Sequence, residues 1–259
     1  MSALNLIQQY SSDSDEDDQK CNEGKDLRTN MKNNKVLKLP LPESIISWKG
    51  VVHNEEVIDD PSKHEGRIRS FKHERGNWAT LVYIDYMPNE DLIHWLENVI
   101  LQTIGKGNFF EELHVSLTRT LILKYHWIDS FVEAVKNVAT THQSFIMELS
   151  DIKVYCNEDK SRTFMGVTVD SANNSLKVLS QILDKQLIAY RLPTFYEDAS
   201  HHLSFCWFLG NQIETLETFL PIIKKSFYEF LINCPEQRFS HISKVNCKIG
   251  NKLYSWNLK

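Results

Sequence analysis

Two short histidine–serine motifs are the residues of this chain with the clearest capacity for chemistry. His114 is followed two positions later by Ser116, and His202 is followed in the same way by Ser204. Alternate residues of a β-strand point to one face, so each motif would present an imidazole beside a hydroxyl. An imidazole exchanges protons near neutral pH, and a hydroxyl donates hydrogen bonds to phosphate oxygens. Two such motifs opposed across a groove predict acid–base cleavage of a phosphodiester without a metal.

The spacing alone is not selective, because four of the ten histidines have a serine two positions later. His142 lies at a predicted helix end, where Ser144 need not share its face. His241 and Ser243 lie in a strand-like segment, and the sequence leaves them open as candidates. The other two motifs stand out because they occupy equivalent places in a repeated order of elements.

That order is strand, helix, strand, helix and a final pair of strands, and it occurs twice. Each motif lies on the second strand of its repeat, and Pro221 is expected to kink or split the last helix. The predicted strands are 77–86, 113–123, two short ones within 144–156, 162–170, 202–210 and a hairpin pair within 240–258; the predicted helices are Asn89 to Gly105, 126–142, 174–188 and 212–232.

Strand alternation assigns the faces around the motifs. In the second motif's strand, Leu203, Phe205 and Trp207 are expected to face the core, so His202 and Ser204 face the groove. In the strand 113–123 the same alternation places Thr118 on the face of the first motif.

The repeated order predicts an α+β fold. We expect a bilobal, pseudo-two-fold arrangement in which two antiparallel sheets flank a central groove, with the helices outside. The domain is predicted to span 37–259, with lobes contributed by related halves at about 77–156 and 162–258. Residues 1–36 are acidic and polar and are predicted to be a disordered tail.

Composition and charge limit the kinds of partner and the cellular environment expected for the chain. Its 259 residues carry a net charge of −5, so an RNA partner would need a local basic patch. Arg67, Arg69, Arg75 and the basic segment 221–259 are candidates for such a patch or, equally, for solvated surface. Five cysteines without a CxxC pair argue against zinc and disulfides, and we expect a reduced, intracellular protein without signal peptide or membrane span.

A resemblance to a known family is carried by four segments, GRIRSFKHERGNWATLVYI, KVYCNEDKSRTFMG, TFYEDASHHLSFCW and CKIGNKLYSWNLK. With the two motifs, these segments resemble the two-histidine (2H) phosphoesterase superfamily and, within it, the U6 small nuclear RNA phosphodiesterase family. The resemblance covers residues 37–259.

This resemblance implies a nuclear 3′–5′ exoribonuclease that needs neither metal nor cofactor. Such an enzyme trims the uridine-rich 3′ end of U6 small nuclear RNA and leaves a 2′,3′-cyclic phosphate. His114 and His202 would be the catalytic pair, as proton acceptor and proton donor respectively, and Ser116 and Ser204 would bind the phosphate. We expect a monomer with RNA as its partner and no membrane association.

The resemblance also implies a nucleotide-binding set. Tyr196 would stack on the terminal base, although simple packing of this ring is the alternative. Glu158 falls where relatives often carry an amide, and a carboxylate accepts hydrogen bonds but cannot donate them. His201 is expected to face away from His202. The remaining implied nucleotide contacts are Val115, Asp198, Ala199, Ser200, His201 and Leu203.

Two other functions stay open at this point. The same four motif residues would serve a cyclic phosphodiesterase that opens 2′,3′-cyclic RNA ends. A non-catalytic RNA-binding or splicing module would use the groove and the acidic tail, but it would have no need for two opposed proton-transfer groups.

Overall fold

An antiparallel sheet organises the part of the chain that the computed structural model describes, which comprises residues 60–64, 74–196 and 200–259 with Glu43, Gly66 and Phe71. The chain divides into two compact units, Met1–Asn54 and Glu55–Lys259, and every described residue except Glu43 belongs to the second. The predicted tail 1–36 therefore lies outside the described residues, as do Arg67 and Arg69.

The strands and helices alternate along the second unit. The strands are β1 Asn77–Tyr86, β2 Asn108–Phe109, β3 Leu113–Ser116, β4 Leu121–Lys124, β5 Phe145–Cys156, β6 Arg162–Ser171, β7 His202–Leu209, β8 Phe239–Ile242, β9 Lys244–Ile249 and β10 Lys252–Asn257. The helices are α1 Glu90–Thr103, α2 Ile128–Thr141, α3 Ser175–Ala189, α4 Ile213–Glu217 and α5 Leu220–Asn233.

The strand order is β10–β9–β1–β3–β7–β6–β5–β8, with β4 paired to β1 and β2 paired to β7. The two sides of this sheet meet between β3 and β7, where one register pair, Val115 with Leu203, joins them. The predicted α+β class with antiparallel sheets is confirmed, and the two sheets are continuous through this junction.

Each half of the chain contributes strands to both sides of the sheet. The C-terminal hairpin of β9 and β10 completes the side of β1, whereas β5 from the first half pairs with β6 on the other side. The assignment of one domain to 37–259, with halves at 77–156 and 162–258, stays a prediction.

Helix packing fills the core as the apolar stripes predict. The side chain of Asn89 accepts a hydrogen bond from the amide of Leu92 and caps α1, whose inner face is buried. Trp95 of α1 packs against Phe227 and Phe230 of α5. The buried residues of α1 are Leu92, Leu96, Val99 and Ile100.

The predicted single strand 113–123 is wrong, because a bulge divides it into β3 and β4. The amides of Leu117 and Thr118 both donate to the carbonyl of Val82, at 2.9 and 3.3 Å. The Thr118 hydroxyl turns inward, is 1% exposed and accepts from the amide of Val82 at 3.1 Å. Thr118 therefore does not share the face of the first motif, contrary to the alternation argument.

Three other segments refine the sequence prediction. The segment 144–156 forms one strand with a register shift, not two short strands. The last helix is split as expected, and Pro221 lies in the first turn of α5. The segment 240–258 holds the predicted hairpin, with Gly250 at φ 58°, and also part of β8, which pairs with β5.

His201 belongs to the packing of α3 rather than to the groove. Its ring is stacked on Phe195, with centroids 5.3 Å apart, and its Nε2 lies 2.9 Å from the hydroxyl of Ser180 on α3. The residue is 8% exposed, and burial, with a smaller effect of His202, lowers the pKa of His201 to about 4. The expectation that His201 faces away from His202 fits these contacts. The nucleotide contact implied for His201 stays a prediction, which its backbone rather than this buried ring would have to make.

A first prediction concerns Thr118→Val. The valine fills the same volume but leaves the buried amide of Val82 without its acceptor, so the free energy of unfolding should fall by about 1–3 kcal/mol. Urea titration measures this loss, and Thr118→Ser, which keeps the hydroxyl, should lose less. A Thr118→Val protein as stable as wild type would contradict the inward placement.

A second prediction concerns His201 and pH. A folded-state pKa below the unfolded one gives stability that is complete above the unfolded value and is lost as the pH falls towards the folded value. Between pH 6.5 and about pH 4, the ring of His201 takes up a proton in the unfolded chain but stays neutral in the folded protein. His201 should therefore contribute about 2 kcal/mol to the loss of unfolding free energy between about pH 7 and about pH 5.

Denaturant titrations of His201→Gln and wild type at both pH values measure this contribution. The variant should show a smaller pH dependence, while His241→Gln, which removes an exposed histidine, should match wild type. Equal pH dependence in wild type and His201→Gln would show that the buried ring does not titrate as described.

Candidate active site

The two histidine–serine motifs meet at the junction of β3 and β7. Val115 and Leu203, the central residues of the motifs, form the register pair and are 0% and 1% exposed. An antiparallel register through this pair sets His114 opposite Ser204 and Ser116 opposite His202. Since the central residues point into the core, all four motif side chains lie on the other face. The side chains of Val115 and Leu203 are buried, so the nucleotide contacts implied for these residues would have to come from their backbone, and they stay predictions.

His202 is held in one ring orientation. Its Nδ1 lies 2.7 Å from the carbonyl oxygen of Ser200, and its ring is stacked on Tyr155 with centroids 3.7 Å apart. The hydroxyl of Tyr155 is 3.0 Å from that of Ser200, so one residue anchors both rings. A carbonyl oxygen only accepts, so Nδ1 carries the hydrogen and Nε2 is the position that gains or loses a proton.

Gly166 on β6 makes the close approach behind His202 possible. A Cβ at this position would lie 3.2 Å from Cδ2 of His202 and 3.3 Å from Cε2 of Tyr155. It would also stand 3.1 Å from the carbonyl oxygen of Leu203. The β6–β7 register shifts between Met165 and Gly166, and this irregularity brings the glycine beneath Ser204.

His114 has a different environment. It lies across from Asp85 in the β1–β3 register, and its ring meets the edge of Tyr83 with centroids 5.3 Å apart. The side-chain amide of Asn246 on β9 donates to the Asp85 carboxylate. The first histidine thus has an anionic neighbour that is itself oriented by a neutral donor.

Burial lowers the pKa of both imidazoles below the ordinary value. At His114, Asp85 and Glu112 oppose this effect, and Lys248 adds to it. At His202, the bond to the Ser200 carbonyl opposes it, and the charge of His114 adds to it. The charge of His114 therefore disfavours protonation of His202, and the carboxylates favour the charged form at His114.

Arg119 joins Tyr196 and Glu158, two of the residues that the resemblance implies in nucleotide binding. The guanidinium carbon of Arg119 is 3.9 Å from the centroid of the Tyr196 ring, and Nη1 is 2.5 Å from Oε1 of Glu158. Tyr196 is 46% exposed, so packing alone does not account for its position. Of the remaining predicted nucleotide contacts, Asp198 and Ala199 lie outside the described residues.

The other histidine–serine spacings do not share this junction. His142 follows the end of α2, and its amide donates to the carbonyls of Ala139 and Val138. His241 is exposed on β8, opposite Ile146 of β5. The structure therefore brings together the two motifs that the repeated order singles out.

Several site residues were missed by the sequence argument. Tyr83 and Asp85 alternate with buried residues along β1, so the same pattern that gave the motifs would have given them. The sequence did not indicate a role for Arg119, because the bulge before it interrupts the alternation of side-chain faces along the strand. Tyr155 and Gly166 depend on which strands become neighbours, and strand pairing is not visible in one sequence.

Two general features of the described residues bear on partners. Within 74–196 and 200–259, no cluster of three or more His, Cys, Asp or Glu side chains is arranged to hold a metal ion. None of the described helices combines the length and the apolar character needed to cross a bilayer.

Comparison with known proteins places this site in a family. The family described as HVSL, uncharacterised conserved protein, matches residues 39–257, and the first motif with Leu117 spells these four letters. U6 snRNA phosphodiesterase 1 of Xenopus laevis is 36% identical over 221 residues, which cover 83% of this chain and 88% of the relative. The protein of the same name from Homo sapiens is 34% identical over 226 residues, covering 86% and 84%.

A solved structure agrees at the level of fold. Usb1 of Kluyveromyces marxianus is 17% identical and superposes with a TM-score of 0.50, covering 69% of this chain and 97% of that one. Because the Xenopus laevis and Homo sapiens relatives are 36% and 34% identical to the chain in alignments that cover more than four fifths of either sequence, the chain belongs to the U6 snRNA phosphodiesterase family.

Proposed function

We propose that the chain trims the uridine-rich 3′ end of U6 small nuclear RNA as a metal-independent 3′–5′ exoribonuclease. Family membership makes the chain an RNA phosphodiesterase, and the names of its relatives supply the RNA. The observation that carries the proposal is the meeting of the two motifs at the β3–β7 junction, where each histidine lies opposite the serine of the other. A nuclear location and a monomeric state, both expected from the resemblance, belong to the same proposal.

The proposed reaction is an internal transfer followed by release of the terminal nucleoside. The 2′-hydroxyl of the penultimate ribose gives its proton to one imidazole, and its oxygen forms a bond to the adjacent phosphorus. The bond from phosphorus to the 5′-oxygen of the last nucleoside breaks, and the second imidazole gives that oxygen a proton. The shortened RNA then ends in a 2′,3′-cyclic phosphate, and each turnover leaves the total number of enzyme-bound protons unchanged.

The surroundings of the two rings support one assignment of the roles. His202 donates through Nδ1 to a neutral carbonyl, which leaves a lone pair on Nε2 when the ring is uncharged. His114 faces Asp85, which favours its protonated form. We therefore assign His202 as the base and His114 as the acid, the reverse of the order that family analogy suggests.

The serines stabilise charge rather than exchange protons. Ser116 and Ser204 stand on the same face as the imidazoles, each opposite the histidine of the other motif, and in the proposed reaction both hydroxyls bind the phosphate. Negative charge grows on the non-bridging oxygens during the transfer, and fixed hydroxyl donors lower the energy of that state. Lys248, whose charge is close enough to act on His114, adds positive potential to the same face.

A third prediction tests the catalytic pair. His114→Ala or His202→Ala should lower the rate of trimming a uridine-tailed RNA by about 10²–10⁴-fold, the usual effect of losing one acid or base. Binding of the RNA should change far less. Mass analysis of the wild-type products should show a 2′,3′-cyclic phosphate end.

The control substrate carries a 2′-deoxyribose on the 5′ side of the scissile phosphate, and it should resist cleavage. Near wild-type trimming by either variant, or efficient cleavage of the deoxy substrate, would contradict the mechanism. Products that show only opening of preformed cyclic ends would favour a cyclic phosphodiesterase. Binding without any cleavage would favour an RNA-binding module.

A fourth prediction separates the two roles. If the 5′-bridging oxygen of the scissile phosphate is replaced by sulfur, the leaving group is a thiolate that departs without a proton. His114→Ala should then recover most of its lost rate, whereas His202→Ala should stay slow because the 2′-hydroxyl still needs a base. Recovery in His202→Ala alone would reverse the assignment.

A further inference from the structure

Arg119 ties together two side chains, Tyr196 and Glu158, that the family resemblance assigns to nucleotide binding. It comes from the β3–β4 connection, Glu158 from the β5–β6 turn and Tyr196 from the segment before β7. We call these three residues the rim triad. The arginine is 3.9 Å from the ring of Tyr196 and 2.5 Å from the carboxylate of Glu158, so a single cation joins three distant parts of the sequence.

Two contacts hold the side chain of Arg119, one with an aromatic ring and one with a carboxylate. Its side chain is 30% exposed, its guanidinium covers one face of an aromatic ring and its Nη1 is paired with a carboxylate. The bulge turns Thr118 inward, so the alternation of side-chain faces is reversed after it and Arg119 points outward. A planar guanidinium both stacks on a ring and binds a carboxylate through directed N–H groups, which a lysine ammonium does not do.

The tyrosine of the rim triad needs such support. Tyr196 is 46% exposed, and the chain before it is fixed by a 2.7 Å bond from the amide of Phe195 to Asp184. A free tyrosine would lose rotamer freedom when a base stacks on it, and that loss would weaken binding. With Arg119 on one face, the ring is already oriented, and the base would stack on its other face.

We infer that Arg119 is a positioning residue that pre-orients Tyr196 as the stacking platform for the 3′-terminal base. The inference rests on the proposed function, since it takes an RNA 3′ end as the ligand. It also answers the question that Glu158 raises as a carboxylate in place of an amide: its role is to hold the arginine. Arg119 acts through Tyr196, so its effect should depend on the presence of both the tyrosine and the base.

The test measures binding of a uridine-ended RNA whose penultimate ribose is 2′-deoxy. Arg119→Ala should raise the Kd about 3–10-fold, the size expected for one cation–π contact with its ion pair. Arg119→Lys should recover less than half of this effect, because charge without a planar fork does not orient the ring. Lys136→Ala, which removes another cation paired with a glutamate on the surface of α2, should bind as wild type does.

Two further arms isolate the platform. With an RNA that lacks the terminal base, wild type and Arg119→Ala should bind equally. In a Tyr196→Ala background, Arg119→Ala should add no further loss. In trimming assays with the ribose substrate, Arg119→Ala should raise KM while kcat stays within about twofold, because the acid and base are untouched.

The outcomes test the proposed function and the role of Arg119 separately. If wild type fails to trim, the proposed function is wrong, while the Kd values still test the rim triad. An unchanged Kd in Arg119→Ala overturns the inference. Tighter binding would mean that the guanidinium occupies the place of the base. Equal loss on the base-free RNA, or full rescue by Arg119→Lys, would mean a phosphate contact instead.

Discussion

One antiparallel contact, between Val115 and Leu203, is the constraint on which the site depends. Both side chains are buried, and they join the two sides of the sheet. Because a strand alternates its faces with a period of two, a slip by one residue on either strand would turn a histidine and a serine into the core. The register of this contact therefore also sets the positions of the four motif side chains, and the apolar core holds the polar face in place.

The approximate two-fold arrangement of the motifs is broken by what surrounds them. Each histidine has a tyrosine neighbour, but Tyr155 stacks on His202 whereas Tyr83 meets His114 edge-on. One ring faces a backbone carbonyl, and the other faces a carboxylate across β1 and β3. Acid–base catalysis needs two groups in opposite protonation states, and a symmetric site would supply two equal ones. In the proposed mechanism, the unequal neighbours would let similar strands perform different tasks.

Most helices and strands were predictable from the sequence, while the contacts between distant strands were not. The Asn89 cap, the apolar stripe of α1 and the turn at Gly250 follow from local chemistry, so they were found from the sequence. The bulge that buries Thr118 depends on the carbonyl of Val82, 36 residues away, which no local pattern contains. The motif pair was predictable because duplication supplied a second copy for comparison. Arg119 and Gly166 were not, since their roles arise only when separate strands become neighbours.

Gly166 gives this fold a mutational signature. It has no side chain to touch RNA, yet a methyl group there would stand 3.1 to 3.3 Å from His202, Tyr155 and the backbone of Leu203, so these neighbours would have to shift. A survey of tolerated substitutions would thus mark a position on β6 that lies behind the histidine. The intolerance would report crowding behind the imidazole and not chemistry in front of it. Invariance at a site can therefore identify the wall against which a reacting group is set, as well as the group.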